Sequence, residues 1–311
     1  MQGGKLPSKF QTEVGDAMDG VVIVNKEAGL TSQGVVNRIK RIFGVAKAGH
    51  TGTLDPMATG VLPVLIGRGV KASEFMLTQD KHYTATLLLG ITTDTEDITG
   101  EILTECDRIP PEDQVLEAIR SFIGEYMQTP PMYSALKIGG KKLCDLAREG
   151  KEIERIPRRV IIFDIKAHKI SDREYLMDVH CSKGTYIRTL CKDIGESLGV
   201  GGVMKTLERN IASGFTIADA HTLGEIEGMG SEERNSLVFP VERIFKDLRK
   251  ITLPPFFARL AGCGLEIYLK KIGESIPVGE RVSLYNNEGF FAVGEVREYE
   301  DGAAIKPIRQ F

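Results

Sequence analysis

This chain of 311 residues has no long apolar run. The longest candidate, Val61 to Ile66, is far shorter than the roughly 20 residues that a membrane-spanning helix needs. The first residues, Met1-Gln2-Gly3-Gly4-Lys5, are followed by polar residues and form no apolar signal core. We therefore expect neither membrane insertion nor secretion, and we predict a cytoplasmic protein.

Cysteine is also scarce, and its positions are widely spaced. The five cysteines include no Cys-x-x-Cys pair, and their number is odd. We expect no disulfide framework and no zinc cage, and we interpret the cysteines as buried free thiols in a reducing compartment. The histidines show no metal-ligand spacing, and the chain has no phosphate-binding loop or dinucleotide fingerprint. The sequence therefore predicts no metal and no cofactor.

The chain has no large excess of charge of either sign. Its formal net charge is −3, which argues neither for nor against nucleic acid, because phosphate binding needs a local basic surface. One candidate surface exists between residues 137 and 159, where eight lysines and arginines stand against four acids. This segment is either an RNA-binding surface or an ordinary solvated face.

The hydrophobic pattern indicates two structured regions after a polar leader. We predict a flexible leader over residues 1–17, a main domain over 18–250 and a small β-barrel over 251–311, beginning near Pro254-Pro255. Ser32 is interpreted as a helix N-cap. In the main domain, strands are predicted near residues 21–24, 61–66, 83–89, 160–166 and 175–181, and helices near 35–43, 111–123 and 186–198. In the barrel, strands are predicted at 281–285, 290–296 and 303–309.

The most informative segment is the glycine-rich loop from Gly49 to Gly60. Asp55 is its only carboxylate, and it precedes Pro56, which biases its backbone toward an extended conformation. An apolar strand follows directly. A lone aspartate on a rigid loop at a strand edge suits nucleophilic or base chemistry. From composition alone, a plain turn aspartate is the alternative.

This loop resembles the aspartate loop of TruB-type bacterial tRNA pseudouridine-55 synthases. The resemblance covers most of residues 20–215. One departure is Glu27, which follows Lys26 where the family usually has proline. The other matching segments are Asp80-Lys81-His82-Tyr83, Pro130-Pro131-Met132-Tyr133-Ser134-Ala135-Leu136-Lys137 and Cys181-Ser182-Lys183-Gly184-Thr185-Tyr186-Ile187-Arg188-Thr189-Leu190.

The resemblance implies an α+β fold, in which a mixed, largely antiparallel sheet is flanked by helices and carries a central cleft. It makes residues 18–250 the catalytic domain, with an RNA-gripping insertion over about 130–159. Residues 251–311 weakly resemble a PUA domain, and we expect this region to bind RNA.

The resemblance also implies roles for four residues. Asp55 matches the catalytic aspartate, and Arg188 matches the arginine that orients it and favours its ionised form. Tyr83 matches a tyrosine whose ring can stack on an extruded base. His50 matches a histidine near the extruded nucleotide that need not titrate to work. Its alternative is a structural, hydrogen-bonding histidine.

Five basic residues are candidates for RNA binding. Lys26 is interpreted as either structural or a phosphate contact, with no catalytic role. The other four belong to the insertion that would grip the T arm of tRNA, namely Lys137, Lys141, Lys142 and Arg148.

The function that the resemblance implies is isomerisation of uridine to pseudouridine at position 55, in the T loop of tRNA. One alternative is a non-catalytic tRNA-binding or chaperone protein on the same scaffold. Another is the catalytic subunit of a guide-RNA particle. We expect a monomer that acts on tRNA without a guide RNA.

Overall fold

The structure is a computed structural model that describes residues 18–311, and the predicted leader over 1–17 lies outside the described residues. The described strands are β1 (Gly20–Lys26), β2 (Ala48–His50), β3 (Thr59–Ile66), β4 (Lys81–Leu89), β5 (Ile91–Thr93), β6 (Ile102–Glu105), β7 (Gly124–Gln128), β8 (Lys137–Ile138), β9 (Lys141–Lys142), β10 (Arg158–Lys169), β11 (Glu174–Cys181), β12 (Gly202–Ala212), β13 (Phe215–Thr216), β14 (Arg249–Thr252), β15 (Ile267–Tyr268), β16 (Arg281–Asn286), β17 (Gly289–Arg297) and β18 (Ala304–Gln310).

The helices are short, and most of them connect strands. The α-helices are α1 (Ser32–Ile42), α2 (Ser73–Leu77), α3 (Glu112–Ser121), α4 (Leu143–Arg148), α5 (Ile187–Ser197), α6 (Leu223–Gly228), α7 (Ser231–Ser236), α8 (Pro255–Gly262) and α9 (Leu269–Ile272). Single 3-10 turns occupy Gly67–Ala72, Ile217–Asp219 and Val241–Phe245.

A large mixed sheet forms the centre of the first region. Its strand order is β1-β3-β12-β4-β11-β10-β7, with β2 added beside β3 and β13 beside β12. Every pairing is antiparallel except that of β12 with β3. This confirms the α+β fold with a mixed, largely antiparallel sheet.

One face of the sheet packs against helices because both surfaces are apolar. Val35 and Ile39 of α1, Val115 and Ile119 of α3, and Leu190 of α5 are fully buried against the sheet. In α1 and α3 the buried residues recur at a spacing of four, and in α5 Leu190 follows Ile187 by three and precedes Ile194 by four, as an amphipathic helix requires. The helices thus bury this face of the sheet.

The C-terminal region forms a second sheet of five strands, ordered β14-β16-β17-β18-β15, which curls into a half-barrel. The predicted strands at 281–285, 290–296 and 303–309 correspond to β16, β17 and β18. Aromatic rings join this sheet to the first region. The ring of Phe245 lies 5.6 Å from those of Phe290 and Phe311, centroid to centroid.

Two local expectations need correction. Thr31, not Ser32, caps α1, because the Thr31 hydroxyl accepts from the Gly34 amide at 3.0 Å. The pattern also missed β12, the long strand between β3 and β4. In β12 the alternation of buried and exposed residues places Arg209 at a buried position, so the apolar periodicity is broken.

Candidate active site

The loop that carries Asp55 connects β2 to β3, and side chains from distant segments fix its backbone. The Ser32 hydroxyl at the start of α1 accepts from the Leu54 amide at 2.8 Å and donates to the Leu54 carbonyl at 3.0 Å. The Gly29 amide donates to the Pro56 carbonyl at 2.8 Å. The residues on both sides of Asp55 are therefore tied to the rest of the fold, as positioning of a reactive group requires.

Lys26 fixes the second half of the same loop, from Pro56 to Ala58. Its side chain is fully buried, and Nζ donates to the carbonyls of Glu27 at 3.0 Å, Pro56 at 3.1 Å and Ala58 at 2.6 Å. Burial lowers the pKa of Lys26 from 10.5 to about 8, while the Asp55 carboxylate opposes that shift. All three ammonium protons have acceptors, so the lysine holds the loop.

The Asp55 carboxylate is held by the guanidinium of Arg188, which projects from the first turn of α5. Arg188 Nε lies 2.9 Å from Oδ2 of Asp55, and Nη2 donates to Oδ1 at 3.2 Å. Arg188 is buried, whereas about a third (32%) of the Asp55 side chain is exposed. This bidentate pair aims a partly accessible carboxylate in one direction.

Arg188 also joins two other segments to the site. Nη1 donates to the Thr95 carbonyl at 3.0 Å, and Nη2 donates to the Tyr133 carbonyl at 2.8 Å. A second carboxylate, that of the buried Asp97, lies 3.8 Å from Nη1. The arginine therefore lies between two acids, only one of which is accessible to solvent.

The net electrostatic effect raises the pKa of Asp55. Burial is the largest cause, the Arg188 guanidinium lowers the pKa, and the nearby charge of Asp97 raises it. We expected Arg188 to favour the ionised carboxylate. It does act in that direction, but burial outweighs it.

Tyr83 and His50 have little tendency to ionise. Tyr83 is buried on β4, and burial raises the pKa of its hydroxyl. His50 ends β2, and burial together with the charge of Arg209 lowers its pKa. Nδ1 of His50 accepts from the Gly52 amide at 3.3 Å, which leaves Nε2 to carry the proton of a neutral ring. Both rings are thus uncharged, and Tyr83 lies close enough to Asp55 for that carboxylate to help raise its pKa.

Within residues 18–311, no three histidine, cysteine, aspartate or glutamate side chains gather as metal ligands would. In the same part of the chain, no helix is both long and apolar enough to cross a membrane. What the geometry provides is an oriented, partly exposed carboxylate, that of Asp55, held by Arg188.

Comparison with known proteins identifies the family. The family model described as the N-terminal domain of TruB family pseudouridylate synthases matches residues 40–187, and the model of the tRNA pseudouridylate synthase B C-terminal domain matches residues 188–246. A tRNA pseudouridine synthase B from Alkaliphilus oremlandii is 44% identical over 94% of this chain and 98% of its own length. One from Clostridium tetani is 40% identical over 89% of this chain and 96% of its own length.

This chain belongs to the TruB family of pseudouridylate synthases. It is therefore an RNA uridine isomerase. A solved structure described as a Cbf5-Nop10-Gar1 complex contains a chain that is 25% identical to it. The match has a TM-score of 0.69 and covers 94% of this chain and 85% of that one. The fold and the family predicted from the sequence are both confirmed.

One predicted contact of this TruB-family chain is wrong. Lys26 was a candidate for RNA binding, but its ammonium group is fully buried and is saturated by three carbonyl groups. Phosphate has no access to it, and the structural alternative holds. Lys137, Lys141 and Arg148 are exposed, on β8, β9 and α4, so a role in RNA binding stays a prediction for them. Lys142 also lies on β9, and for it the role likewise stays a prediction.

Sequence reasoning missed one side chain in the site of this TruB-family enzyme. Arg209 of β12 is buried, and its guanidinium donates to the Gly52 and Val61 carbonyls at the two ends of the Asp55 loop. The available signal was an arginine at a position of β12 where alternation requires an inward side chain. That signal depends on recognising β12 as a strand, which the polar run Lys205–Asn210 obscured.

Proposed function

We propose that this enzyme isomerises uridine to pseudouridine in tRNA, at position 55 of the T loop, with Asp55 as its catalytic carboxylate. The observation that carries the proposal is the bidentate contact of Arg188 with Asp55, which orients a partly exposed carboxylate. The names of the relatives, tRNA pseudouridine synthase B, support tRNA as the substrate.

The chemistry requires no net oxidation or reduction. The bond from C1′ to N1 of uridine breaks, the uracil rotates, and a bond from C1′ to C5 forms. The proton on C5 is lost, and N1 gains one. Asp55 has three possible roles: attack on C1′, attack on C6, or proton removal that leads to a glycal. Each of them needs an ionised or proton-accepting carboxylate at a fixed position.

We propose that the target base leaves its stack to reach Asp55, because only about a third of this side chain is exposed and its partner Arg188 is buried. We propose that the rings of Tyr83 and His50 contact the extruded nucleotide. The lowered pKa of His50 keeps its ring neutral, which suits packing better than charge pairing. The raised pKa of Tyr83 suits a hydroxyl that stays protonated.

We propose that the insertion over about 130–159 grips the T arm. The Tyr133 carbonyl in this insertion accepts a hydrogen bond from Arg188, so the insertion begins at the Asp55 site. Beyond it, β8, β9 and α4 present exposed basic side chains, among them Lys137, Lys141 and Arg148. We propose the same phosphate-binding role for Lys142.

We further propose a catalytic domain over residues 18–250 and a PUA-like RNA-binding domain over 251–311. We propose that the enzyme acts without a cofactor, a guide RNA or a second subunit. The proposed substrate is made and used in the cytoplasm, so we propose that the enzyme works there. The relatives named tRNA pseudouridine synthase B support the stand-alone form.

The test measures turnover of purified protein on an unmodified tRNA transcript, with no other macromolecule present. Tritium at C5 of uridine is released only if the C5–H bond breaks, and mapping of pseudouridine locates the product. Asp55→Asn should release no tritium and should still bind tRNA. Asp178→Asn is the matched control. Asp178 lies on β11 and accepts a hydrogen bond from the Thr84 hydroxyl, which is on the face of the sheet opposite to that of its neighbour Tyr83.

Three outcomes would contradict the proposal in different ways. Binding of tRNA without turnover by the wild-type protein would favour the chaperone alternative. Turnover only after addition of a guide RNA would favour the particle subunit. Product at a uridine outside the T loop would leave the chemistry intact and refute the proposed position.

A further inference from the structure

Arg209 lies beneath the Asp55 loop and is not explained by the contacts of Asp55 itself. Only 1% of this residue is exposed. Its Nε donates to the Val61 carbonyl at 2.8 Å, and Nη2 donates to the Gly52 carbonyl at 3.2 Å. These two carbonyls stand on either side of Asp55, three residues before it and six after it. One side chain therefore ties the start of the loop to its end.

Two glycines of the loop leave room for this arginine. At Gly60, where φ is +99°, a Cβ would lie 2.4 Å from the Arg209 carbonyl oxygen. At Gly52, where φ is +143°, a Cβ would lie 3.4 Å from Arg209 Nη1. The strand is irregular at the same place, since the pairing of β12 with β4 shifts register between Arg209 and Ile211. Such a bulge redirects a side chain.

The guanidinium of Arg209 has an unusual electrostatic environment. In residues 18–311, no carboxylate lies within 4.0 Å of it, and a fully buried charge costs free energy unless it is paired. Its charge also acts on its neighbours, because it lowers the pKa of His50 and of Lys26. A residue needed only to fill the core would carry no such cost.

We propose that Arg209 is a positioning residue for the isomerisation, which sets the place of Asp55 by fixing both ends of its loop. This inference rests on the proposed function. Arg209 is buried, bonds to backbone carbonyls of the loop and contacts the Tyr83 hydroxyl, so it acts through these groups and does not touch RNA. Its removal should slow the chemical step and leave tRNA affinity almost unchanged.

Arg209→Lys keeps the charge and loses the planar fork, so it cannot hold both carbonyls in the same geometry. We expect the single-turnover rate constant to fall roughly a hundredfold, as for a misplacement of about 1 Å. The Kd for tRNA should stay within about twofold, because the substitution removes no group that binds phosphate. Arg209→Gln also removes the charge, and it should in addition raise the pKa of His50, measured from its ring proton signals.

Arg234 offers a matched control. It also bridges two segments through backbone carbonyls, with Nη1 3.1 Å from that of Ile42 and Nη2 2.8 Å from that of Met229, but it lies on α7, outside the Asp55 loop. Arg234→Lys should lower thermal stability and leave kcat unchanged. Equal losses of kcat in Arg209→Lys and Arg234→Lys, or wild-type kcat in Arg209→Lys, would overturn the proposal.

A measurement on the wild-type protein keeps the inference testable if the variants do not fold. The Nε–H of Arg209 should exchange slowly with deuterated water, because it is bonded to Val61 and buried. Exchange as fast as that of an exposed arginine would refute the contact. The proposed function is judged separately by wild-type turnover, since inactive wild-type protein would refute the function and not the contact.

Discussion

Arg188 and Asp55, which lie 133 residues apart in sequence, form a two-point contact in which Nε and Nη2 face the two carboxylate oxygens at 2.9 and 3.2 Å. The same guanidinium holds the carbonyls of Thr95 and Tyr133. It thus connects the Asp55 loop, the loop after β5 and the start of the basic insertion. The orientation of the proposed catalytic carboxylate depends on this junction.

Arg188→Lys should therefore damage turnover more than binding. A lysine keeps the positive charge, but its single ammonium group cannot replace a fork that reaches two carboxylate oxygens and two carbonyls. We expect kcat to fall by roughly a hundredfold or more, with a smaller change in Kd. Single-turnover kinetics and tRNA binding measure the two effects. Arg159→Lys, at an exposed pair with Glu125, is the control. A fully active Arg188→Lys enzyme would show that Asp55 needs no such partner.

The pH dependence of turnover should show the raised pKa of Asp55. If the ionised carboxylate is the active form, activity is present above the folded-state pKa and is lost as pH falls through it. Because burial raises that pKa, the loss should begin at a higher pH than the ordinary aspartate value of about 3.9 implies. Asp97→Asn removes a charge that raises the pKa, so the acid limb should move to lower pH. Asp94→Asn, in the same loop, serves as control. Each pH profile of turnover is scaled to its own maximum before the acid limbs are compared. If the acid limb of Asp97→Asn did not move, the assignment of that limb to Asp55 would be contradicted.

Lys26 should make stability depend on pH in the alkaline range. Its folded-state pKa of about 8 lies below 10.5, so between these values the folded protein binds fewer protons than the unfolded chain. The free energy of unfolding therefore gains a contribution that rises with pH across this window. Lys26→Met lacks that contribution and leaves three carbonyls without a donor, at about 1–3 kcal/mol each. The wild-type advantage in urea unfolding should thus grow from pH 8 toward 10.5.

The exposed Lys40 supplies the control for this titration. Lys40→Met should show a constant difference from wild type over the same range. The pKa of Lys81 is also lowered to about 8. Because Lys81 is present in every protein compared, its contribution to the free energy of unfolding cancels in the differences. A wild-type advantage of Lys26 that stayed flat or shrank with pH would mean that the buried ammonium does not lose its proton in this window.

The basic insertion should contribute to the salt dependence of tRNA binding. Lys141 and Arg148 are exposed, and within the described residues Asp145, at 3.6 Å, is the only acid within 4.0 Å of the Arg148 guanidinium. Neutralising Lys141, Lys142 and Arg148 to glutamine should weaken binding and flatten the log–log slope by roughly 0.7 to 0.9 for each phosphate that is no longer neutralised. Turnover at saturating tRNA should barely change, because none of these groups is part of the Asp55 site.

Changing Lys166 and Lys169 of β10 and Arg173 in the turn before β11 to glutamine removes the same amount of charge. We compare the tRNA affinities of the two triple variants from low to high salt. The comparison distinguishes local phosphate contacts of the insertion from an effect of total charge. Parallel lines for the insertion variant and the wild type, with equal affinity, would identify the segment as an ordinary solvated face.

Much of this protein follows from its sequence because the relevant information is local. The hydrophobic pattern predicted the strands β1, β3, β4, β10 and β11 from short apolar stretches, and helical periodicity predicted α1, α3 and α5. The glycine-rich loop and the motif around Arg188 carry their chemistry in adjacent residues, and their resemblance to one family fixed both the fold and the class of reaction.

Tertiary structure alone decided which charged groups are buried and what they hold. For Lys26 the sequence left a structural role and a phosphate contact open, and it is a buried support of the loop, because three carbonyls, two of them about 30 residues away, satisfy its ammonium. Arg209 breaks the apolar pattern of β12, yet it reaches carbonyls 148 and 157 residues earlier in the chain. A side chain that bonds to backbone carbonyls does not require a particular residue type at its partner position. The local sequence pattern therefore does not reveal such a contact. Only the packing of β12 between β3 and β4 brings those carbonyls within its reach.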